Sequence, residues 1–136
     1  IQSGPTPFDI AAREKQVAAG GYSFGARVDA LLGSKSPPEI KPLVQTTLRA
    51  TNPAGFLKAI KSGFSFYSPD HADKFTMPVL LIQGSEDKVT PTERNAAIFT
   101  KAVPKARLEI LEGYGHLPEV EVPGRVNDLI REFLAD

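Results

Sequence analysis

The sequence predicts an α/β fold with a mostly parallel sheet, because strand and helix patterns alternate along its second half. Residues 79–83 form an almost wholly apolar run that Gly84 ends. Residues 106–111 alternate polar and apolar side chains, which is typical of a strand nearer a sheet edge. A helical pattern lies between the two runs and another follows Pro123, so we expect parallel strands joined by a crossover helix.

The first half of the chain predicts short helices and no clear strand. Its apolar residues recur at helical spacing, and Gly and Pro residues interrupt the pattern repeatedly. The predicted helices cover Ile10 to Val17, Val28 to Leu32, Ile40 to Leu48 and Phe56 to Ile60.

The second half permits more detailed predictions. The run at residues 79–83 is typical of a central strand buried on both faces. Thr90, Pro91 and Glu93 match an N-cap, a first helical position and a capping box, so a helix is expected to about Ala102. Its inward face is expected to contain Ala96, Ala97, Phe99 and Val103. The last helix carries one apolar stripe of Val126, Leu129, Ile130, Phe133 and Leu134.

Composition excludes several classes of function. The chain has 136 residues, 41% hydrophobic and 24% charged, with a formal net charge of zero. This balance favours neither nucleic acid nor an anionic membrane as a partner. The absence of cysteine rules out a thiolate nucleophile and a cysteine-based zinc site. With no apolar run of bilayer length and no signal peptide pattern, we expect a soluble protein, in the cytoplasm rather than secreted.

Two loops carry the side chains that could take part in catalysis. Asp87 lies in the loop after the first predicted strand, and His116 lies in the loop after the second. The carboxyl ends of parallel strands meet at one edge of a sheet, where functional groups collect. We therefore expect Asp87 and His116 to face each other, and we expect no metal site or cofactor.

Residues 77–91 and 104–134 resemble the acid loop, histidine loop and closing helix of the α/β-hydrolase superfamily. The resemblance implies that Asp87 is the acid and His116 the base of a catalytic triad, in the order Ser, Asp, His. Val89 and Leu117 follow these two positions and are tentative substrate contacts. The motifs Ala18 to Gly21 and Thr51 to Phe56 resemble, more loosely, the cap of enol-lactone hydrolases and their relatives.

The resemblance also implies a domain organisation. Residues 1–4 would be the stub of a core strand, residues 5–76 a helical cap, and residues 77–136 the C-terminal part of the hydrolase core. The nucleophile would then lie upstream of residue 1. We accordingly expect a partner, either an N-terminal hydrolase segment or a separate chain, that carries the nucleophile.

Several alternatives accompany these assignments. Glu86 competes with Asp87 for the acid role, although we expect it to face solvent. Glu112, Glu119 and Glu121 could orient the imidazole, but solvated or helix-capping roles are expected for all three. Ser23 lies in Gly21 to Gly25, which matches G-x-S-x-G, but helical rather than strand-like residues precede it, so we predict turn chemistry there.

The sequence thus favours a serine-type hydrolase of a carboxylic ester or lactone, which would act on a small-molecule substrate. The alternative is a noncatalytic hydrolase-like module that binds a small apolar ligand under its cap. A strand, G-x-S-x-G elbow and helix upstream would favour the enzyme.

Overall fold

The computed structural model of the chain describes residues 10–20, 27–64, 71 and 74–135. Four helices occupy the first half, and a strand–helix–strand unit followed by two helices occupies the second. The elements are α1 (Ile10–Ala18), α2 (Val28–Leu31), α3 (Ile40–Ala50), α4 (Pro53–Phe64), β1 (Val79–Gly84), α5 (Ala96–Ala102), β2 (Ala106–Leu111), α6 (Pro118–Glu121) and α7 (Pro123–Ala135).

The two strands form a parallel pair, as the sequence predicted. Val79 lies opposite Ala106, and the register continues without a bulge to Gly84 opposite Leu111. Both strands therefore end at the same edge, and the loops that follow them emerge side by side. This arrangement confirms the predicted α/β class and brings the acid loop and the histidine loop together.

The core beside this sheet is formed by the first half of the stripe on α7. Leu129 is 1% exposed, and it clusters with Val126 and Leu111 against the partly buried Leu80 and Ile82 of β1. The two β1 residues are two positions apart and so share one face of the strand. The predicted packing of the last helix on a flat apolar surface is therefore confirmed for this part of the stripe.

Two residues of the stripe on α7 do not follow the prediction, whereas Phe133 is half-buried. Ile130 is 40% exposed and Leu134 is 77% exposed. The described two-stranded sheet covers only the side of the helix that bears Val126 and Leu129. In the same way, residues 79–82 of β1 are half-buried rather than buried on both faces, because β2 is its one described sheet neighbour.

The helix between the strands begins later than predicted. Thr92–Arg94 form a short 3₁₀ turn, and α5 begins only at Ala96. The expected N-cap at Thr90 is wrong, since its hydroxyl binds Asp87 instead of a helical N–H. The helix ends at Ala102 as expected. Of the expected inward residues, Ala96, Phe99 and Val103 are buried and Ala97 is half-buried.

The helices of the first half confirm the four predicted segments. None of the described helices is both long and apolar enough to cross a bilayer. The assignment of residues 5–76 to a cap and of 77–136 to a core stays a prediction. The proposed strand stub at residues 1–4 and the turn around Ser23 lie outside the described residues.

Three glycines let three backbone segments approach each other closely at the end of β1. A Cβ added to Gly84 would lie 2.2 Å from the carbonyl oxygens of Tyr114 and Gly115. A Cβ on Gly115 would lie 2.4 Å from the Leu31 oxygen, and one on Gly33 would lie 2.3 Å from the Gly113 oxygen. The acid loop, the histidine loop and residues 31–36 are thus stacked at a spacing that side chains would prevent.

Candidate active site

The acid loop folds around the carboxylate of Asp87. Its Oδ1 accepts the backbone N–H groups of Val89 and Thr90, both at 2.8 Å, as in a tight turn closed by an aspartate. Its Oδ2 accepts the Thr90 hydroxyl at 2.6 Å. The side-chain amide of Gln83 donates to the Thr90 carbonyl, so β1 itself fixes the far side of this turn.

The imidazole of His116 meets this carboxylate from the neighbouring loop. His116 Nδ1 lies 2.9 Å from Asp87 Oδ2 and 3.3 Å from the Thr90 hydroxyl oxygen. An ionised carboxylate can only accept hydrogen bonds, so Nδ1 of His116 carries the proton and donates to Asp87 Oδ2. The Nε2 atom of the neutral ring is then an acceptor, which is the state that a general base requires.

The surroundings of Asp87 favour its ionised form. The side chain is only 4% exposed, and this burial is the largest single influence on its pKa, acting to raise it. The hydrogen bonds from the Thr90 side chain, the Thr90 backbone and His116 together outweigh burial and hold the pKa of Asp87 below its ordinary value. The carboxylate is therefore charged at neutral pH and can stabilise a protonated imidazole.

The competing acid, Glu86, turns away from the imidazole. Its carboxylate accepts the backbone N–H of Ser34 at 2.8 Å and the Ser34 hydroxyl at 2.5 Å. These two bonds lower the pKa of Glu86 below its ordinary value. Glu86 therefore anchors residues 31–36, and Asp87 is the carboxylate that reaches His116.

The prediction for the three glutamates near the histidine is right for two of them. Glu112 and Glu119 are exposed. Glu121 is 2% exposed and accepts hydrogen bonds from Gly33, Ser36, Gly115 and Leu117. The expected solvated or helix-capping role of Glu121 is therefore wrong, because its side chain turns inward beneath the histidine loop.

Sequence reasoning thus missed two site residues, Thr90 and Glu121. The Thr-Pro-x-Glu pattern at Thr90 is an equally good helix start, so the sequence offered no signal for its contact with Asp87. The sequence did offer a signal for Glu121. It lies five residues after His116, beside a glycine-rich loop whose backbone N–H groups need acceptors.

A pocket of about 200 Å³ opens beside the Asp87–His116 pair. It is bounded by β1, the acid loop, the start of α5 and the histidine loop. The lining residues are Leu81, Ile82, Gln83, Gly84, Asp87, Thr90, Ala96, Gly115, His116 and Pro118. Val89 is 40% exposed and Leu117 is half-buried, and neither lines this pocket, so their role as substrate contacts stays a prediction.

The acidic group of the pocket is bound by hydrogen-bond donors of the protein itself. Within the described part of the chain, no three His, Asp or Glu side chains converge as metal ligands would. The Asp87 carboxylate already accepts four hydrogen bonds, which occupy the positions that a cation would need. His116 lines the pocket and keeps 31% of its side chain exposed.

Comparison with solved structures places this arrangement in a known fold. A thermophilic esterase from Thermogutta terrifontis superposes with a TM-score of 0.78 and 25% identity, over 98% of this chain and 53% of the esterase. The chain belongs to the α/β-hydrolase superfamily. Superfamily membership accounts for the parallel pair of strands and for the placement of an acid and a histidine after their carboxyl ends.

Sequence comparisons agree with this membership of the α/β-hydrolase superfamily. Epoxide hydrolase EphH of Mycobacterium tuberculosis is 36% identical over 61 residues, or 44% of this chain and 28% of the relative. Monoacylglycerol lipase ABHD6 of Mus musculus is 30% identical over 80 residues, or 59% of this chain and 24% of the relative. No family model matches the chain. The chain spans about a quarter of these relatives and about half of the esterase.

Proposed function

We propose that this chain supplies the acid, Asp87, and the base, His116, of a Ser-Asp-His triad in a hydrolase of carboxylic esters or lactones. The observation that carries the proposal is the 2.9 Å contact between His116 Nδ1 and Asp87 Oδ2 beside an open pocket. An imidazole held in this way has one nitrogen committed to an ionised carboxylate and one left to take up a proton.

The proposed chemistry follows from that geometry. His116 Nε2 removes the proton of a serine hydroxyl as the oxygen attacks an acyl carbon, and it returns the proton to the departing alkoxide. Asp87 holds the Nδ1–H throughout and stabilises the imidazolium that forms between the two steps. Water then repeats the sequence on the acyl-enzyme, which releases the carboxylic acid and restores the serine.

The nucleophile of this proposal lies on an N-terminal segment or on a partner chain. Among the described residues, three serines near the site are engaged in other contacts. Ser34 and Ser36 donate to Glu86 and Glu121, and Ser85 Oγ accepts the Gly113 N–H at 2.9 Å. None of the residues that line the described pocket is a serine, and the pocket is open for a serine brought by another segment.

The ester substrate class rests on the relatives as well as on the site. The Thermogutta terrifontis protein is an esterase and the mouse protein is a monoacylglycerol lipase. The lactone option rests on the resemblance of the first half to the cap of enol-lactone hydrolases.

The experiment uses the chain together with the segment or partner that completes it. We expect His116→Ala and Asp87→Asn to lower kcat for a chromogenic carboxylic ester by about 10²–10⁴-fold. Glu112→Gln, a charge change at an exposed residue of the same loop, is the matched control and should retain full activity. Unchanged turnover in His116→Ala would contradict the proposal. Ligand binding without ester turnover in the unmodified protein would favour the noncatalytic module.

A further inference from the structure

The carboxylate of Glu121 is the most deeply buried charged group near the site. Glu121 is 2% exposed, although it lies only two residues before the last helix. Such a group is expensive to bury unless hydrogen bonds satisfy it. Its donors are three backbone N–H groups and one hydroxyl, and they come from two separate parts of the chain.

One group of donors belongs to the residues that flank the base. Gly115 N–H donates to both oxygens of Glu121 at 2.9 Å, and Leu117 N–H donates to Oε1 at 3.1 Å. The N–H of His116 itself donates to the Leu31 carbonyl at 2.7 Å. Three consecutive backbone N–H groups centred on His116 are therefore fixed, two of them by Glu121.

The other group of donors belongs to residues 31–36. Gly33 N–H donates to Glu121 Oε2 at 2.8 Å, and the Ser36 hydroxyl donates to the same oxygen. These residues also supply the Leu31 carbonyl that holds His116. Glu121 thus joins the histidine loop to the segment that packs against it, with one carboxylate oxygen directed mainly to each side.

We propose that Glu121 is a positioning residue for His116, and this inference rests on the proposed function. Asp87 fixes the Nδ1 side of the imidazole, while Glu121 fixes the backbone from which the ring projects. With both ends held, Nε2 points in one direction, as a general base requires when small misplacements cost large factors in rate. A glutamine cannot reproduce these contacts, because in either orientation its NH₂ group would face a backbone N–H, either that of Gly33 or those of Gly115 and Leu117.

The first experiment observes the ring directly and does not depend on turnover. Labelling with ¹⁵N-histidine marks only His71 and His116 in this chain, and His116→Ala assigns the signals. In the unmodified protein we expect a slowly exchanging, hydrogen-bonded Nδ1–H signal from His116. In Glu121→Gln this signal should broaden or exchange at least tenfold faster. Glu119→Gln, an exposed neighbour, is the matched control and should leave it unchanged.

A second variant covers the case in which Glu121→Gln fails to fold. Ser36→Ala removes one hydroxyl donor to Glu121 and changes no residue of the histidine loop. The bond from His116 N–H to the Leu31 carbonyl joins backbone atoms, and the substitution leaves both of them in place. We expect a smaller acceleration of Nδ1–H exchange in the same direction. Wild-type His116 exchange in both Ser36→Ala and a folded Glu121→Gln protein would overturn the inference.

Kinetics of the completed protein then separate the two proposals. Glu121→Gln should lower kcat roughly 10- to 100-fold with little change in KM, because the defect lies in the base and not in substrate binding. If His116→Ala retains activity while Glu121→Gln still alters the ring signal, the proposed function fails and the positioning role stands. If His116→Ala is inactive and Glu121→Gln alters neither kcat nor the signal, the positioning role fails alone.

Discussion

The side chain of Thr90 binds Asp87 in the site instead of capping the helix that follows it. Its hydroxyl donates to Asp87 Oδ2 at 2.6 Å, and its backbone N–H donates to Oδ1 at 2.8 Å. Both bonds stabilise the ionised carboxylate, which in turn holds the Nδ1–H of His116. The local consequence is a 3₁₀ turn at residues 92–94 in place of a capped first turn of α5.

Thr90→Val is predicted to weaken the contact between Asp87 and His116 while preserving the shape of the loop. Valine matches the size of threonine but cannot donate to Asp87, so the pKa of Asp87 should rise and its bond to His116 should weaken. A lost hydrogen bond to a buried charged group costs about 1.5–3 kcal/mol, which should appear in urea unfolding and as a roughly tenfold or greater loss of kcat for the proposed ester hydrolysis. Thr92→Val is the control, since Thr92 lies in the next turn and does not line the pocket. Equal effects of both substitutions would contradict the assigned role of Thr90.

The lowered pKa of Asp87 predicts a specific dependence of stability on pH. Above the ordinary aspartate pKa of 3.8, the carboxylate is ionised in both folded and unfolded chains and its stabilising contacts contribute fully. As pH falls below that value, the unfolded chain takes up the proton first, so the contribution of Asp87 declines until the folded carboxyl is protonated. The free energy of unfolding of the unmodified protein minus that of Asp87→Asn should therefore shrink as the pH falls below 4. A difference that does not shrink below pH 4 would contradict the lowered pKa of Asp87.

At the scale of elements, close backbone packing aligns the acid and histidine loops. Gly84 ends β1, and Gly115 precedes the base by one residue. Because the atoms opposing a Cβ on Gly84 are backbone carbonyl oxygens at 2.2 Å, they can yield only if a whole loop moves. The glycine that ends the strand is thus required by the packing of two loops as well as by the turn.

Gly84→Ala is predicted to separate the two loops and to destabilise the fold. We expect a loss of about 1–3 kcal/mol or more in the free energy of unfolding, with a longer Asp87–His116 contact and reduced activity. Gly124→Ala is the matched control, since a Cβ on Gly124 meets no atom within 4 Å and alanine favours the helix in which it lies. A Gly84→Ala protein as stable as Gly124→Ala would disprove the close approach.

At the scale of the whole molecule, the apolar stripe of α7 is only partly covered by the described residues. Leu129 is 1% exposed in the cluster against β1, whereas Leu134, on the same helix, is 77% exposed. The chain spans about half of the esterase that it superposes on. The proposed N-terminal segment would add strands beside this sheet, and it would bring the serine to the open pocket.

Replacing a buried leucine of α7 by alanine is predicted to destabilise the fold much more than replacing an exposed one. Leu129→Ala should cost about 2–5 kcal/mol, because the cavity lies inside a packed cluster. Leu134→Ala should change the free energy of unfolding by less than about 0.5 kcal/mol in this chain. Chemical denaturation of both variants measures the difference. A cost above about 2 kcal/mol for Leu134→Ala would show that an element packs on this end of the helix.

The helices of the first half, the two parallel strands and the Asp87–His116 pair could all be predicted from the sequence. Each depends on local properties: apolar spacing sets helix or strand, and the carboxyl ends of neighbouring parallel strands meet by geometry. The start of α5 could not be predicted, because the same Thr90 hydroxyl can cap a helix or bind an aspartate three residues before it. The exposure of Ile130 and Leu134 could not be predicted either, since an apolar stripe does not specify how wide the surface opposite it is.

The sequence by itself determined the α/β class and the placement of Asp87 and His116 in the loops that follow two neighbouring strands. Only the tertiary structure decided that Glu86 binds Ser34, that Thr90 supports Asp87, and that Glu121 lies buried beneath the histidine loop. The physical reason is distance along the chain. The bond from Gly33 to Glu121 joins residues 88 positions apart, and a contact of that kind leaves no periodic pattern from which it could be inferred.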